Sequence, residues 1–404
     1  MDKRFKSWIN LSLLNLTIVA CIGVLMRYKI GFDFPYLEQK NILHAHAYFA
    51  FTGWVTHLLY TFIYYHYKQE FTQKGLRYAV MLIRTNLVAS YGILITYFVF
   101  GYSYQASFFV AVTILVSYFF VALFLSQLRY FDHNPGTKWL AAGLIFYACA
   151  SGGAIYNAYM LSAGTFSQKI FLACQYIYLH FQFNGWFLLS CIGLFIGLLS
   201  RKGIAFDDNN IFRMIAYMCA PTLFLSTLWM KMPSWLYWGT VAATVLQCVG
   251  WAMVVKFAWD NRLLIKEKFT RNTYSLFLLA AMALSIKMIL QLGSTHPQIS
   301  KLAYGFRPIV IAYIHLVVLG VITIFLFGYA YAMKIIPSSR LSHAGIMLFV
   351  GGIFLNEFVL MIQGVASFSY FAVPHINQVL VFVSLIMLAG IVMVLIARKE
   401  IDQQ

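Results

Sequence analysis

The chain has 404 residues, of which 62% are apolar and only 10% charged, with a formal net charge of +17. A water-soluble fold has no interior large enough for that much apolar surface, so the composition excludes an ordinary globular enzyme and points to an integral membrane protein. The basic residues are spread over many turns and not gathered in one patch, which argues against a nucleic-acid partner.

Twelve apolar runs succeed one another, at about 10–28, 42–66, 78–101, 104–128, 138–162, 170–199, 210–230, 234–258, 272–293, 306–333, 341–364 and 374–397, each near the length needed to cross a bilayer. Runs this long in lipid must be helices, because an open backbone finds no hydrogen-bond partners there. The first comes after Lys3, Arg4 and Lys6 and ends in Met26-Arg27-Tyr28-Lys29 without a small-residue cleavage site, so it reads as a span and not as a removed signal. The second carries His44-Ala45-His46, with His57 eleven residues after His46. The sixth carries His180, the ninth Lys287, the tenth His315, the eleventh Glu357 with Gln363, and the twelfth His375 near its start. His66, His133, His296 and His343 fall at predicted boundaries. Connections are short, and the chain reads as one polytopic membrane domain.

A small pattern recurs three times: Phe51-Thr52-Gly53-Trp54, Phe183-Asn184-Gly185-Trp186 and Leu319-Gly320, with the glycines 132 and 135 residues apart. Five residues before each glycine stand Tyr48, His180 and His315; seven before stand His46, Tyr178 and Tyr313. The interval accommodates four spanning helices, so the chain divides into repeat units of about 1–133, 134–268 and 269–404.

Of the 29 Lys and Arg, 20 lie on the N-terminal side and the even-numbered turns, and seven on the opposite side. The positive-inside rule then places both termini in the cytoplasm, and the charge is topogenic. The six cysteines, Cys21, Cys149, Cys174, Cys191, Cys219 and Cys248, all fall inside spans with no C-x-x-C pairing, and read as small buried apolar residues.

In this topology His44, His46, His180, His315 and His375 collect in the outer half of the membrane. An imidazole in hydrocarbon costs free energy unless it is paired or ligates something, which makes each a candidate site. The plainer alternative is a core histidine bonded to a tyrosine or a carbonyl. His44 and His46 differ by about 200° around a helix, so they face nearly opposite sides and would serve two centres. The glycines leave room for either a neighbouring helix or a flat macrocycle. His57, Glu357 and Lys287 are candidates for a proton path, with an internal salt bridge as the alternative for the two charged residues.

Twelve helices in three four-helix units, cytoplasmic termini and histidines on the second, sixth and tenth spans together resemble subunit I of the heme-copper oxidase superfamily. The H-x-H at His44 and His46, with the chain length, is similar to the smaller NnrS-like membrane proteins. The resemblance implies an all-α integral membrane fold, a pseudo-threefold bundle of twelve transmembrane helices. It implies a heme, of b type, held by His44 or His46 with His315, and a copper ion as a second candidate cofactor at His180, with His44 or His46 facing it. Two departures bear on activity: Tyr313-Ile314-His315 stands where the oxidases carry H-x-H, and residues 221–230 hold no histidine. The function implied is that of a heme-binding oxidoreductase or electron-transfer protein without the complete oxygen-reducing centre, with nitric oxide or oxygen as candidate substrates. Its expected surroundings are membrane lipid, an electron donor or other respiratory subunits, and a bacterial-type inner membrane. Two other classes stay open: a copper or zinc permease, and a catalytically degenerate structural subunit of a respiratory complex.

Overall fold

A computed structural model describes residues 3–32, 34–131 and 134–403. His133 lies outside the described residues. Within them the regular structure is helical, and ten helices are long and apolar enough to cross a membrane. The protein is thus a multi-pass all-α membrane protein.

The two remaining expected spans differ from the others for physical reasons. Residues 39–67 run as one helix, Gln39–Phe49, a π-helical segment Ala50–Thr56 and His57–Tyr67. Its four histidines and three threonines lower its hydropathy, and residues 49–64 are buried on every side. A helix enclosed by other helices does not need an apolar surface for lipid. Residues 209–227 form a broken element, Asn209–Ile215 with the 3-10 segments Tyr217–Cys219 and Pro221–Thr227 after it. Pro221 lacks the N–H that would continue an α-helical ladder.

The chain forms two compact units. The first comprises Met1–Tyr130 and Ala330–Gln404. In it the helices Lys3–Gly31 and Gln73–Phe100 pack along the buried helix 39–67, and Tyr104–Gln127 packs on Gln73–Phe100 and reaches the buried helix through Phe120 stacked on Tyr60 at 3.8 Å, while Arg340–Phe368 packs on Ile376–Gln403, which packs on Lys3–Gly31. The pair 340–368 and 376–403 meets through glycine: a Cβ on Gly390 would fall 2.6 Å from the Phe349 nitrogen and 2.7 Å from the Gly345 carbonyl oxygen. Small residues let backbones approach where lipid supplies no hydrophobic drive to associate.

The second unit spans Phe131–Tyr329. Its innermost element is the helix Gln168–Arg201, 78% buried over its most apolar stretch, packed along Thr137–Ser162 with Tyr147 stacked on Trp186 at 5.1 Å. At one end Asp208 receives the Trp139 indole N–H and pairs with Lys138 at 2.8 Å, tying the start of helix 137–162 to the broken element.

Three π segments punctuate the histidine-bearing helices: Ala50–Thr56, Phe181–Phe187 and Leu316–Thr323. Each contains the glycine of the repeated pattern, Gly53, Gly185 or Gly320. A π turn loosens the backbone ladder and survives where packing or function compensates for it. In the first unit the compensation is visible. Asn15 donates to the Gly53 carbonyl at 2.6 Å and is itself held by the Tyr91 hydroxyl, while Asn86 donates to the Thr52 carbonyl at 3.0 Å.

Candidate functional site

His44 and His46 face opposite sides of helix 39–67, as their spacing requires. His44 Nε2 lies 2.9 Å from the hydroxyl of Tyr102, in the turn after helix Gln73–Phe100. Its ring is framed by Tyr48 and Tyr97, which stack on each other at 5.2 Å. Partial burial pushes the Tyr102 phenol above its ordinary range, with the neighbouring Tyr48 adding to the effect. The hydroxyl therefore keeps its proton and can donate to the imidazole. His46 turns instead toward helix Lys3–Gly31, where the Val19 backbone meets its ring and Gly23 gives it space; a Cβ there would lie 3.3 Å from His46 Cε1. Its Nδ1 is buried with no hydrogen-bond partner.

His180 is bonded through both nitrogens. Nε2 donates to the Cys219 carbonyl at 2.8 Å, and Nδ1 accepts from the Asn184 amide at 3.3 Å. This tautomer has no lone pair left for a metal, so the residue fits a core histidine that holds the broken element 209–227 and does not fit a ligand to copper. Among the described residues no three His, Cys, Asp or Glu side chains gather in a way that could hold a metal ion.

His315 has the other arrangement. It ends helix Arg307–His315 and immediately precedes the third π segment, and its Nδ1 donates to the Ile311 carbonyl one turn back at 2.8 Å. That bond makes Nδ1 the proton-bearing nitrogen and orients the ring. His315 is half-buried.

The glycines do not provide open faces. The space beside Gly53 is filled by the Phe49 ring, that beside Gly185 by Phe146, and Gly320 packs against Ala283 at ordinary contact distance. The space beside each of these glycines is taken by side chains and is not open to a macrocycle. His375 also departs from its expected place: it sits exposed in a turn with φ +56°, before helix Ile376–Gln403 and not within it. Of the cysteines, all free, Cys21 and Cys149 are exposed and Cys248 is intermediate, so only Cys174, Cys191 and Cys219 are buried.

The three candidates for a proton path have separate surroundings. His57 is fully buried against the Trp8 backbone, and neither ring nitrogen completes a hydrogen bond. Glu357 accepts from the Asn356 amide at 3.1 Å and feels the charge of Arg27. Lys287 does not snorkel; it is 2% exposed and donates to Gln291, whose amide donates to Gln247 at 2.7 Å, which in turn donates to the Ile215 carbonyl at 3.1 Å. No carboxylate pairs with it among the described residues. Cys219, Cys248 and His180 lie within its electrostatic reach.

The sequence pattern did not single out Tyr102, Asn15, Asn86, Gln247 or Gln291. The signal was present for most of them: an amide inside an apolar span needs a partner as much as a histidine does. Compared with known proteins, the chain matches no family model and no curated protein sequence.

Proposed function

We propose that this chain is a heme-binding membrane protein of the oxidoreductase or electron-transfer class, built as a twelve-helix, threefold-repeated bundle related to heme-copper oxidase subunit I. In this reading it resides in a bacterial-type inner membrane with both termini cytoplasmic. The observation that carries the reading is the Nδ1 bond of His315 to the Ile311 carbonyl, which fixes the ring's orientation and its tautomer in a spanning helix. The recurrence of a π segment after the histidine ladder in three helices supports the repeat. When bound, heme supplies one-electron chemistry or, with an open position, binding of a diatomic gas such as nitric oxide or oxygen. The chain's own part is to orient the imidazole, to exclude water and to bury the ring. His46, with its unpartnered Nδ1, is the candidate in the first unit, and His44 is the one committed to a tyrosine.

The purified protein tests the reading through its absorbance. The expected result is a Soret band that shifts on reduction in wild type and is lost in His315→Ala; a colourless wild type that takes up no added heme would overturn it.

A copper or zinc permease is the second reading, and one observation favours it. The element 209–227 is interrupted, and interrupted helices line substrate sites in many transporters. Metal uptake into proteoliposomes by a colourless protein would select it.

A further inference from the structure

The connection between helices Ser234–Asp260 and Arg271–Gly293 holds Lys256, Arg262, Lys266, Lys268 and Arg271 against Asp260 and Glu267. It contains a short helix, Arg262–Lys268. Ile265 and Phe269 are buried and anchor this segment, while Trp259 and Leu263 are 67% and 76% exposed. Asp260 is taken by Lys256 at 2.6 Å, and Glu267 lies 3.8 Å from Lys268. Arg262, Lys266 and Arg271 have no carboxylate partner among the described residues. The Arg262 guanidinium lies 4.8 Å over the Trp259 ring and donates to the Trp259 carbonyl at 2.8 Å, so a cation is held beside an exposed indole.

Topogenic charge alone needs cations and no exposed tryptophan or leucine. An indole and a leucine at the end of a spanning helix suit the boundary between acyl chain and headgroup, and guanidinium and ammonium groups beside them suit a phosphate. We propose that residues 256–271 form a docking surface for anionic phospholipid, with Arg262, Lys266 and Arg271 on the headgroup phosphate and Trp259 and Leu263 against the acyl chains. The attraction of basic residues beside a span to anionic headgroups supplies the driving force. An inorganic phosphate would use the cations and leave the indole idle.

The test uses the full chain in nanodiscs of phosphatidylcholine with and without phosphatidylglycerol. Wild type is expected to gain roughly 2–4 °C in thermal midpoint from phosphatidylglycerol, to lose the gain in high salt, and to retain phosphatidylglycerol in native mass spectra. The variant Arg262→Gln/Lys266→Gln/Arg271→Gln loses both effects, and Trp259→Ala weakens retention. The charge-matched variant Lys68→Gln/Lys74→Gln/Arg77→Gln keeps both. The proposal falls if wild type shows no gain, if the 262/266/271 variant keeps it, if inorganic phosphate reproduces it in phosphatidylcholine alone, or if an acidic soluble protein displaces the lipid from this segment.

Discussion

Two histidines in comparable sequence positions, His180 and His315, differ in what their nitrogens do. His180 donates to a backbone carbonyl and accepts from Asn184, whereas His315 commits Nδ1 to the Ile311 carbonyl of its own helix. On the proposed heme reading, His315→Ala is expected to lower heme content by roughly tenfold or more, while His180→Gln keeps heme and loses stability through the bond to Cys219, by about 1–3 kcal/mol. Pyridine hemochrome content and thermal unfolding of both variants check this pair. Lys287 makes a second case. Replacing it with Met leaves the buried Gln291 oxygen without its donor and is expected to cost about 1–3 kcal/mol. Adding Gln291→Leu breaks the Gln247 bond as well, so the two substitutions are coupled and not additive; a double-mutant cycle with a coupling below about 0.5 kcal/mol would contradict the network.

At the scale of the element, the π segment of helix 39–67 stands because amides on two neighbouring helices take up its carbonyls. Asn86→Leu leaves the Thr52 carbonyl orphaned in an apolar interior, for an expected loss of about 1–3 kcal/mol in thermal or denaturant unfolding. Gly390→Val drives a side chain into the Phe349 backbone and is expected to cost about 1–3 kcal/mol or more, whereas Gly152→Ala, with nothing within 4 Å, stays within about 0.5 kcal/mol of wild type. Helix positions were legible in the sequence, since long apolar runs in lipid have one regular solution. The recurring glycines were legible as landmarks, and each proves to lie in a π segment. Their environment was not: whether a glycine faces a cavity or a phenylalanine depends on a residue four places away, Phe49, or on another helix, Phe146. The break at 216–221 had a local sign in Pro221, but its partner, His180, is 39 residues distant. Likewise the H-x-H spacing revealed that His44 and His46 look in opposite directions, and not that Tyr102 or Gly23 waits on either side.

Over the whole molecule, polarity tracks burial. The helix 39–67 and the helix Gln168–Arg201 carry imidazole and amide groups and lie innermost in their units, while helices with lipid-facing surfaces, such as Tyr104–Gln127 and Ser234–Asp260, are less buried. That arrangement is what a bilayer demands of polar groups whose presence is not required for spanning. The distribution of Lys and Arg predicts that reporters fused to either terminus are cytoplasmic: a green fluorescent protein fusion is expected to fluoresce and an alkaline phosphatase fusion to be inactive at both ends. The proposed heme ligation by His315 is tested most directly by the heme-to-protein ratio of purified wild type and His315→Ala, with iron and copper measured on the same samples. Stoichiometric heme in wild type and its loss in the variant are expected. Equal heme content in the two, or none in either, would contradict that role and leave a polytopic scaffold whose histidines only hold helices together.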